Sequence, residues 1–410
     1  MKYVLIIGDG MADNPVPELG NVTPLEYAAT PTLDALASAG LFGNVKNCPN
    51  GLPAGSDTAI LSIFGCDPRE CYTGRAPLEA AATGVALQPG DIAYRCNMVT
   101  YEDANIPWEQ KKILSHSAGS IEGERSEAIV RALFADPTFK AAADAAGLIV
   151  YPAQSFRHIA VQSGASIDGV TLTPPHDHLG EQIGKLLPSG AANAAVLRDL
   201  MKLAHEVLNH HPLNEARRAE GKMPANGVWF WAEGTAVKLP SFVETYNKTG
   251  GVISAVPLCH GIANLVGLER IFVDGATGEL DTNYAGKVDA ALDVLKTHPF
   301  AAIHVEAPDE CTHNGDTPGK LEAIRRLDSL VVAPLTAKLR ALGEPFRLLI
   351  LSDHKTLTST RGHDGTPVPF LIYDSRRDKK TGATYREIDG EKGPAIDAGV
   401  KLMGLLFGDD

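Results

Sequence analysis

Residues 348–351, Leu-Leu-Ile-Leu, form an unbroken apolar run that stops one residue short of a carboxylate and an imidazole, Asp353 and His354. So short a run without polar residues has the make-up of a strand buried on both faces, which belongs in a parallel sheet covered by helices. The same design opens the chain, where residues 3–7 (YVLII) lead into Gly8-Asp9-Gly10. It recurs at residues 301–305, which run into Glu306-Ala307-Pro308-Asp309-Glu310-Cys311-Thr312-His313. Three such strands place the chain in the α/β class. In open α/β sheets the carboxyl ends of the strands are where ligands bind, so Asp9, Asp309, Asp353 and His354 are candidate metal ligands. Each also has a plain structural explanation: Asp9 or Asp353 can cap the next element, and His354 can be a surface residue.

The rest of the chain supplies further candidates. A helix is expected within residues 23–40, with Thr30 as N-cap, Pro31 in the first turn and Gly40 as the stop. In GLPAGSDTAILSIFGCDP (51–68) Ser56 precedes an apolar helical stretch, so its hydroxyl stands at a helix N-terminus that favours an anion. An N-cap serine would occupy the same place. From about residue 91 the chain turns strand-rich, with paired strands at 148–151 and 156–162 and Arg157-His158 opening the second. A Pro-rich loop then carries His176 and Asp177, and a long helix over 192–208 is halted before Pro212. This reads as an inserted domain at residues 89–225 within a discontinuous domain, 1–88 and 226–410. Asp309 and His313 are four apart and share one face of a helical turn. His363 follows the late strand across a polar loop, one long amphipathic helix is expected over 320–339, and a closing helix over 393–407.

At 410 residues the chain is long for one domain, which agrees with two. Its formal charge of −13 argues against nucleic acid or an anionic membrane as partner. A small anionic substrate would therefore need a local positive field, from metal ions or a few arginines. The six cysteines show no CxxC pair and read as reduced thiols of a cytoplasmic protein. No apolar run approaches the roughly 18 residues of a membrane span, and the first is too short for a signal peptide. No feature of the sequence sets an oligomeric state.

Asp9, Ser56, Asp309, His313, Asp353, His354 and His363 together match the number of protein ligands that two divalent cations would need. Such a pair, about 3.5–4 Å apart, can clamp both ends of a phosphoryl displacement. Coordination would also favour the alkoxide of Ser56, whose free hydroxyl is a poor nucleophile.

An ordered set of motifs extends this reading over nearly the whole chain: GDGMAD (8–13), GSDTAILSIFGCDP (55–68), YTGRAPLEAAATG (72–84), RCNMVT (95–100), TPPHD (173–177), GATGELDTNYAGK (275–287), HVEAPDECTHNGD (304–316) and SDH, STRGH and PVPF within 352–370. With these motifs the chain resembles the archaeal-type cofactor-independent phosphoglycerate mutases of the alkaline phosphatase superfamily. The resemblance implies an alkaline-phosphatase-like three-layer sandwich with a mostly parallel central sheet and an inserted α+β cap domain. It implies Ser56 as phosphoryl carrier, one metal held by Asp309, His313 and His363, and another by Asp9, Asp353 and His354 with Ser56. Manganese or zinc would be usual and magnesium possible. The substrate, a small phosphorylated anion, would meet basic residues of the cap, expected at Arg95, Arg157 and His158, with His176 and Asp177 further candidates. The implied reaction is two in-line transfers, to Ser56 and back to the other hydroxyl of glycerate, with water excluded by a closing cap. One departure is His260, in PLCHGI, where the resemblance leads one to expect lysine. It leaves open a phosphotransferase acting on homoserine or a similar acceptor, and a metal-binding protein without turnover.

Overall fold

In the computed structural model, which describes residues 1–153, 155–377 and 381–408, the apolar runs become the central strands of an eight-stranded sheet. Its members in chain order are β1 (Lys2–Gly8), β2 (Leu41–Val45), β3 (Gly250–Ile253), β4 (Glu269–Ile271), β5 (Phe300–Val305), β6 (Phe346–Leu351), β7 (Val368–Asp374) and β8 (Ala395–Ile396). They lie in the order β4-β3-β5-β1-β6-β7-β2-β8. The first five are mutually parallel, β7 runs antiparallel to both β6 and β2, and β8 is parallel to β2. The fold is thus α/β with a mostly parallel sheet. Every residue of β5 and β6 is buried, which explains why their sequences lack the alternation of a half-exposed strand.

The chain divides into two compact units, residues 1–72 with 238–410, and residues 73–237. The expected boundaries at 88/89 and 225/226 need correction. The helix Arg75–Ala82 packs on the strands Ile92–Tyr101 and Gly227–Thr235, and those two strands pair antiparallel. Both flanks of the insertion therefore belong to the second unit. Its five-stranded sheet is completed by Arg157–Gln162 and Ile113–Ser115, which both pair with Ile92–Tyr101, and by Leu148–Tyr151. Helices including Gly123–Ala135 and Ala192–Leu208 join Tyr94, Tyr101, Phe139, Trp229 and Phe230 in one apolar core.

Two helices differ from expectation. The stretch over 320–339 is broken into Thr317–Arg326, a π-helical turn Leu327–Val332, and Ala333–Leu342. Pro334 lacks an N–H and its ring would meet the carbonyl of the preceding turn, so the wider turn accommodates it. That turn presents Asp328, whose carboxylate accepts from the Leu33 N–H (2.7 Å) and the Thr32 N–H (3.3 Å). Asp328 thus caps the helix Pro31–Ala39, and Thr30 makes no side-chain cap bond. The closing helix is shorter than expected, Leu402–Phe407, because residues 395–396 extend the sheet instead. Among the described residues no helix is long and apolar enough to cross a membrane.

Candidate active site

Parallel register brings the ionisable strand ends together. Ile7 lies opposite His304 on one side and Leu351 on the other, so the segments after β5, β1 and β6 leave the same edge of the sheet. Gly10, at φ +58°, gives its N–H to Asp353 Oδ1 at 3.1 Å. A Cβ there would stand 2.3 Å from Thr356 Oγ1 and 2.6 Å from Asp309 Oδ1, so the turn has room for glycine alone. The carboxylate of the first turn and the Asp-His pair of the late strand are therefore neighbours.

Asp309, His313 and His363 form a first cluster. Asp309 and His313 sit on the helix Ala307–His313, one turn apart, and His363 comes from the short strand Gly362–Asp364. The Nδ1–H of His313 donates to the Arg361 carbonyl (2.7 Å), and the Nδ1–H of His363 to the Ala54 carbonyl (3.3 Å). A carbonyl cannot donate, so each neutral ring presents a lone pair on Nε2. Those two Nε2 atoms are 2.9 Å apart, with Asp309 Oδ2 at 3.1 Å from one and Oδ1 at 3.5 Å from the other. Facing lone pairs at that distance suit a shared cation. The bond to Asp309 pushes the His313 imidazole up to about 9.

Ser56, Asp9, Asp353 and His354 form the second cluster. Ser56 opens the helix Ser56–Ile63, directly after Gly55. Its Oγ is 3.2 Å from Asp9 Oδ2 and 3.1 Å from His354 Nε2. The Nδ1–H of His354 donates to the Lys355 carbonyl (3.2 Å), again leaving Nε2 as a lone pair. That Nε2 is 3.5 Å from Asp9 Oδ1 and 3.3 Å from Asp353 Oδ2. Asp353 Oδ1 accepts from the Gly10 and His354 N–H groups, whereas its buried Oδ2 accepts no hydrogen bond among the described residues. An orphaned buried carboxylate oxygen beside an imidazole lone pair suits a hard or borderline cation. Donor atoms of Asp9, Asp309 and His354 also lie within 4.8 Å of one another, so Asp309 stands between the two clusters. Thr356 Oγ1 donates to Asp309 Oδ1 at 2.5 Å and lies 3.3 Å from His354 Nδ1, tying them together.

Crowding shifts the charges in opposite directions. Burial, then Asp353, Asp309 and Glu306, push Asp9 well above the usual carboxylate range. Burial would also raise Asp309, yet its bonds to His313 and His363 hold it well below that range.

The second unit collects groups of the other sign. Arg95 donates to Glu79 through Nε (2.8 Å) and Nη2, and Arg75 Nε reaches Glu79 Oε1 at 3.2 Å. Arg95 and Arg157 both lie over the Trp231 ring, at 4.7 and 6.0 Å. His176 packs on the same ring at 5.1 Å. The buried Nε of Arg157 has no hydrogen-bond partner among the described residues, and burial followed by the Arg95 charge pushes its guanidinium down to about 10.

The sequence profile of the 2,3-bisphosphoglycerate-independent phosphoglycerate mutases matches residues 37–214. A curated phosphoglycerate mutase of that type from Methanosarcina barkeri is 44% identical over 408 residues, covering 99% of each chain. The chain belongs to the 2,3-bisphosphoglycerate-independent phosphoglycerate mutase family. A probable mutase of that type from Geobacter sulfurreducens is 41% identical, covering 99% of this chain and 100% of its own. Among solved structures, a Pyrococcus horikoshii protein superposes with a TM-score of 0.80 at 30% identity, covering 100% of this chain and 98% of its own. A cofactor-independent phosphoglycerate mutase from Thermoplasma acidophilum gives 0.65 at 25%, covering 99% of each.

The cap residues expected of a phosphoglycerate mutase fare unequally. His158 is 0% exposed; its Nδ1 accepts from the Ala153 N–H (2.9 Å) and its Nε2 meets Ser126 Oγ (3.2 Å). It is a core histidine whose two nitrogens are both used, and as a substrate contact it is a correction. Arg95 is buried against Glu79, so it shapes the cluster more than it faces solvent. Asp177 is exposed, 3.5 Å from His176. Glu79, Trp231 and His304 escaped the sequence reading. A signal existed for His304, since an imidazole within an apolar strand must find partners.

Proposed function

We infer that the protein interconverts 2-phosphoglycerate and 3-phosphoglycerate, without a bisphosphoglycerate cofactor, through a phosphoserine at Ser56. The observation that carries this is the Ser56 hydroxyl 3.1–3.2 Å from His354 and Asp9, inside converging carboxylate oxygens and imidazole lone pairs. We further propose that Asp309, His313 and His363 hold one divalent ion, and that Asp9, Asp353, His354 and Ser56 hold another. Bound ions of this kind would polarise phosphoryl oxygens and favour the serine alkoxide. Ser56 Oγ attacks phosphorus as the bond to the glycerate oxygen breaks; the freed hydroxyl regains a proton, and the reverse steps phosphorylate the other hydroxyl. The N-terminus of the helix Ser56–Ile63 suits the extra negative charge of phosphoserine. Within residues 73–237, Arg157 and His176, displayed on Trp231, form a cationic face suited to a small carboxylate.

The test incubates the protein with manganese and 3-phosphoglycerate, follows 2-phosphoglycerate, and maps phosphate by mass spectrometry. Product with phosphate on Ser56 is the expected result. Net release of inorganic phosphate would make the protein a phosphatase. ATP-dependent phosphorylation of homoserine, without isomerisation, would favour the phosphotransferase that His260 leaves open.

A further inference from the structure

We propose that His304 is the positioning residue that aims Asp9, and that His260 supports it from behind, through Ser254. The proposal rests on the reading of Asp9 as a ligand and adds residues that touch neither substrate nor ion. His304 is the one ionisable side chain of β5 and is 2% exposed. Its Nε2 lies 2.9 Å from Asp9 Oδ2, and its Nδ1 lies 3.1 Å from Ser254 Oγ.

With Asp9 ionised, as a metal ligand must be, the protons in this chain have one consistent arrangement. The carboxylate only accepts, so Nε2–H of His304 donates to it and Nδ1 is left to accept. The Ser254 hydroxyl fills that role, while its oxygen takes the Val256 N–H at 2.9 Å. Ser254 is itself held from outside. The Nε2–H of His260 donates to the Ser254 carbonyl at 2.9 Å, and the His260 ring stacks on Phe272 with centroids 4.3 Å apart and planes at 27°. Lys287 Nζ donates to the His304 carbonyl at 3.0 Å, fixing the strand end from which the imidazole projects.

Occupying Asp9 Oδ2 with an N–H has a geometric consequence. The carboxylate cannot spin, so Oδ1 is turned to His354 Nε2 at 3.5 Å and Ser56 Oγ stays within 3.4 Å of both oxygens. A partner that orients a ligand in this way generally matters about 10–100-fold in metal affinity or activity. The relay also gives His260 a use that needs no positive charge: its ring is committed to a backbone carbonyl and an aromatic face.

The experiment titrates manganese against a chromophoric chelator in wild type, His304→Ala, His304→Gln and Ser254→Ala, with steady-state kinetics alongside. His304→Ala should lose one of two tight equivalents and lower kcat by about 10–100-fold with KM little changed. His304→Gln, which keeps an N–H donor, should recover part of the loss, and Ser254→Ala should fall between it and wild type. In the magnesium-loaded wild type, where Asp9 is ionised, ¹⁵N chemical shifts of His304 should report the Nε2–H tautomer. An unchanged two-equivalent titration in His304→Ala, or no recovery in His304→Gln, overturns the proposal. If His304→Ala does not fold, the decision passes to Ser254→Ala and the tautomer: wild-type affinity in Ser254→Ala, or an Nδ1–H signal, overturns it. Wild type that binds two equivalents yet forms no 2-phosphoglycerate sinks the mutase reading and leaves the positioning claim standing; wild type that binds none overturns both.

Discussion

The two units each gather buried charge, but of opposite sign and with opposite degrees of internal compensation. In the first, Asp9, Asp309 and Asp353 crowd against imidazoles that turn lone pairs inward, with two Nε2 atoms 2.9 Å apart. In the second, Arg75, Arg95 and Arg157 surround a single carboxylate, Glu79, which is held down to about 2: burial raises it, and the Arg95 charge and hydrogen bonds outweigh that. Glu79 lets the guanidinium cluster hold together by itself, whereas the carboxylate cluster depends on a shared cation. The charged groups of the second unit are thus also part of its stability; if Ser56 carries the phosphoryl group as proposed, stability and chemistry are separable in the first.

The largest effect should come where the two can be separated. Ser56→Ala should lower mutase activity on the order of 10⁴-fold or more. Its metal content, read by elemental analysis, should stay near that of wild type, because the remaining ligands persist. Loss of metal in that variant would make Ser56 a ligand without a nucleophilic role. Glu79→Gln probes the opposite coupling. It strips the carboxylate from a buried Arg95 and should destabilise by about 3–5 kcal/mol in urea titrations, with exchange protection lost in residues 73–237 and metal content unchanged. A variant as stable as wild type would break the contrast. Arg157→Ala removes a guanidinium whose Nε has no partner among the described residues, so it should raise KM by roughly 10–100-fold, the worth of a charged hydrogen bond, with little change in melting temperature.

The smallest expected effect is a pH dependence confined to one unit. Burial pushes His158 from 6.5 down to about 4, so the fold favours its neutral form. The stability this contributes is complete above about 6.5 and is lost as pH falls through about 4. Glu79 acts in the same direction lower down, its contribution present above about 4.5 and lost towards about 2. Protection of amides around Ser126 and His158 should therefore decline on mild acidification, and a His158→Gln variant should flatten that decline. An unaltered slope in the variant would remove His158 from the account.

Much of the first unit's site was legible because its residues follow buried strands. A continuous apolar run announces a parallel strand, and parallel strands in register send their following residues to one edge; Asp9, Asp309, Asp353 and His354 could be singled out on that ground. Ser56 joined the set by its place before an apolar helix and His363 by the polar loop after the late strand; the motif resemblance added how the ligands divide between two ions. The second unit resisted the same reading. Its strands are antiparallel, so the neighbours of Arg95 are set by pairing with Arg157–Gln162 and Gly227–Thr235, far along the chain. Nothing local distinguishes His158, turned into the core, from Arg157 beside it, turned out to Trp231; only the face of the strand decides. The domain boundaries were misplaced for a related reason, since the helix Arg75–Ala82 joins the second unit by packing and not by composition.

By itself the sequence determined the elements and their chemistry: which runs would be buried strands, which ionisable residues would follow them, and that an acidic chain must build any positive field locally. Only the tertiary structure decided which atoms meet. Hydrogen bonds from Nδ1 to the carbonyls of Arg361, Ala54 and Lys355 select the tautomers that aim Nε2 inward, and Ser254 and His304 select the orientation of Asp9. Those choices span hundreds of residues, and a tautomer or a carboxylate rotation costs too little locally to leave a mark in the neighbouring sequence.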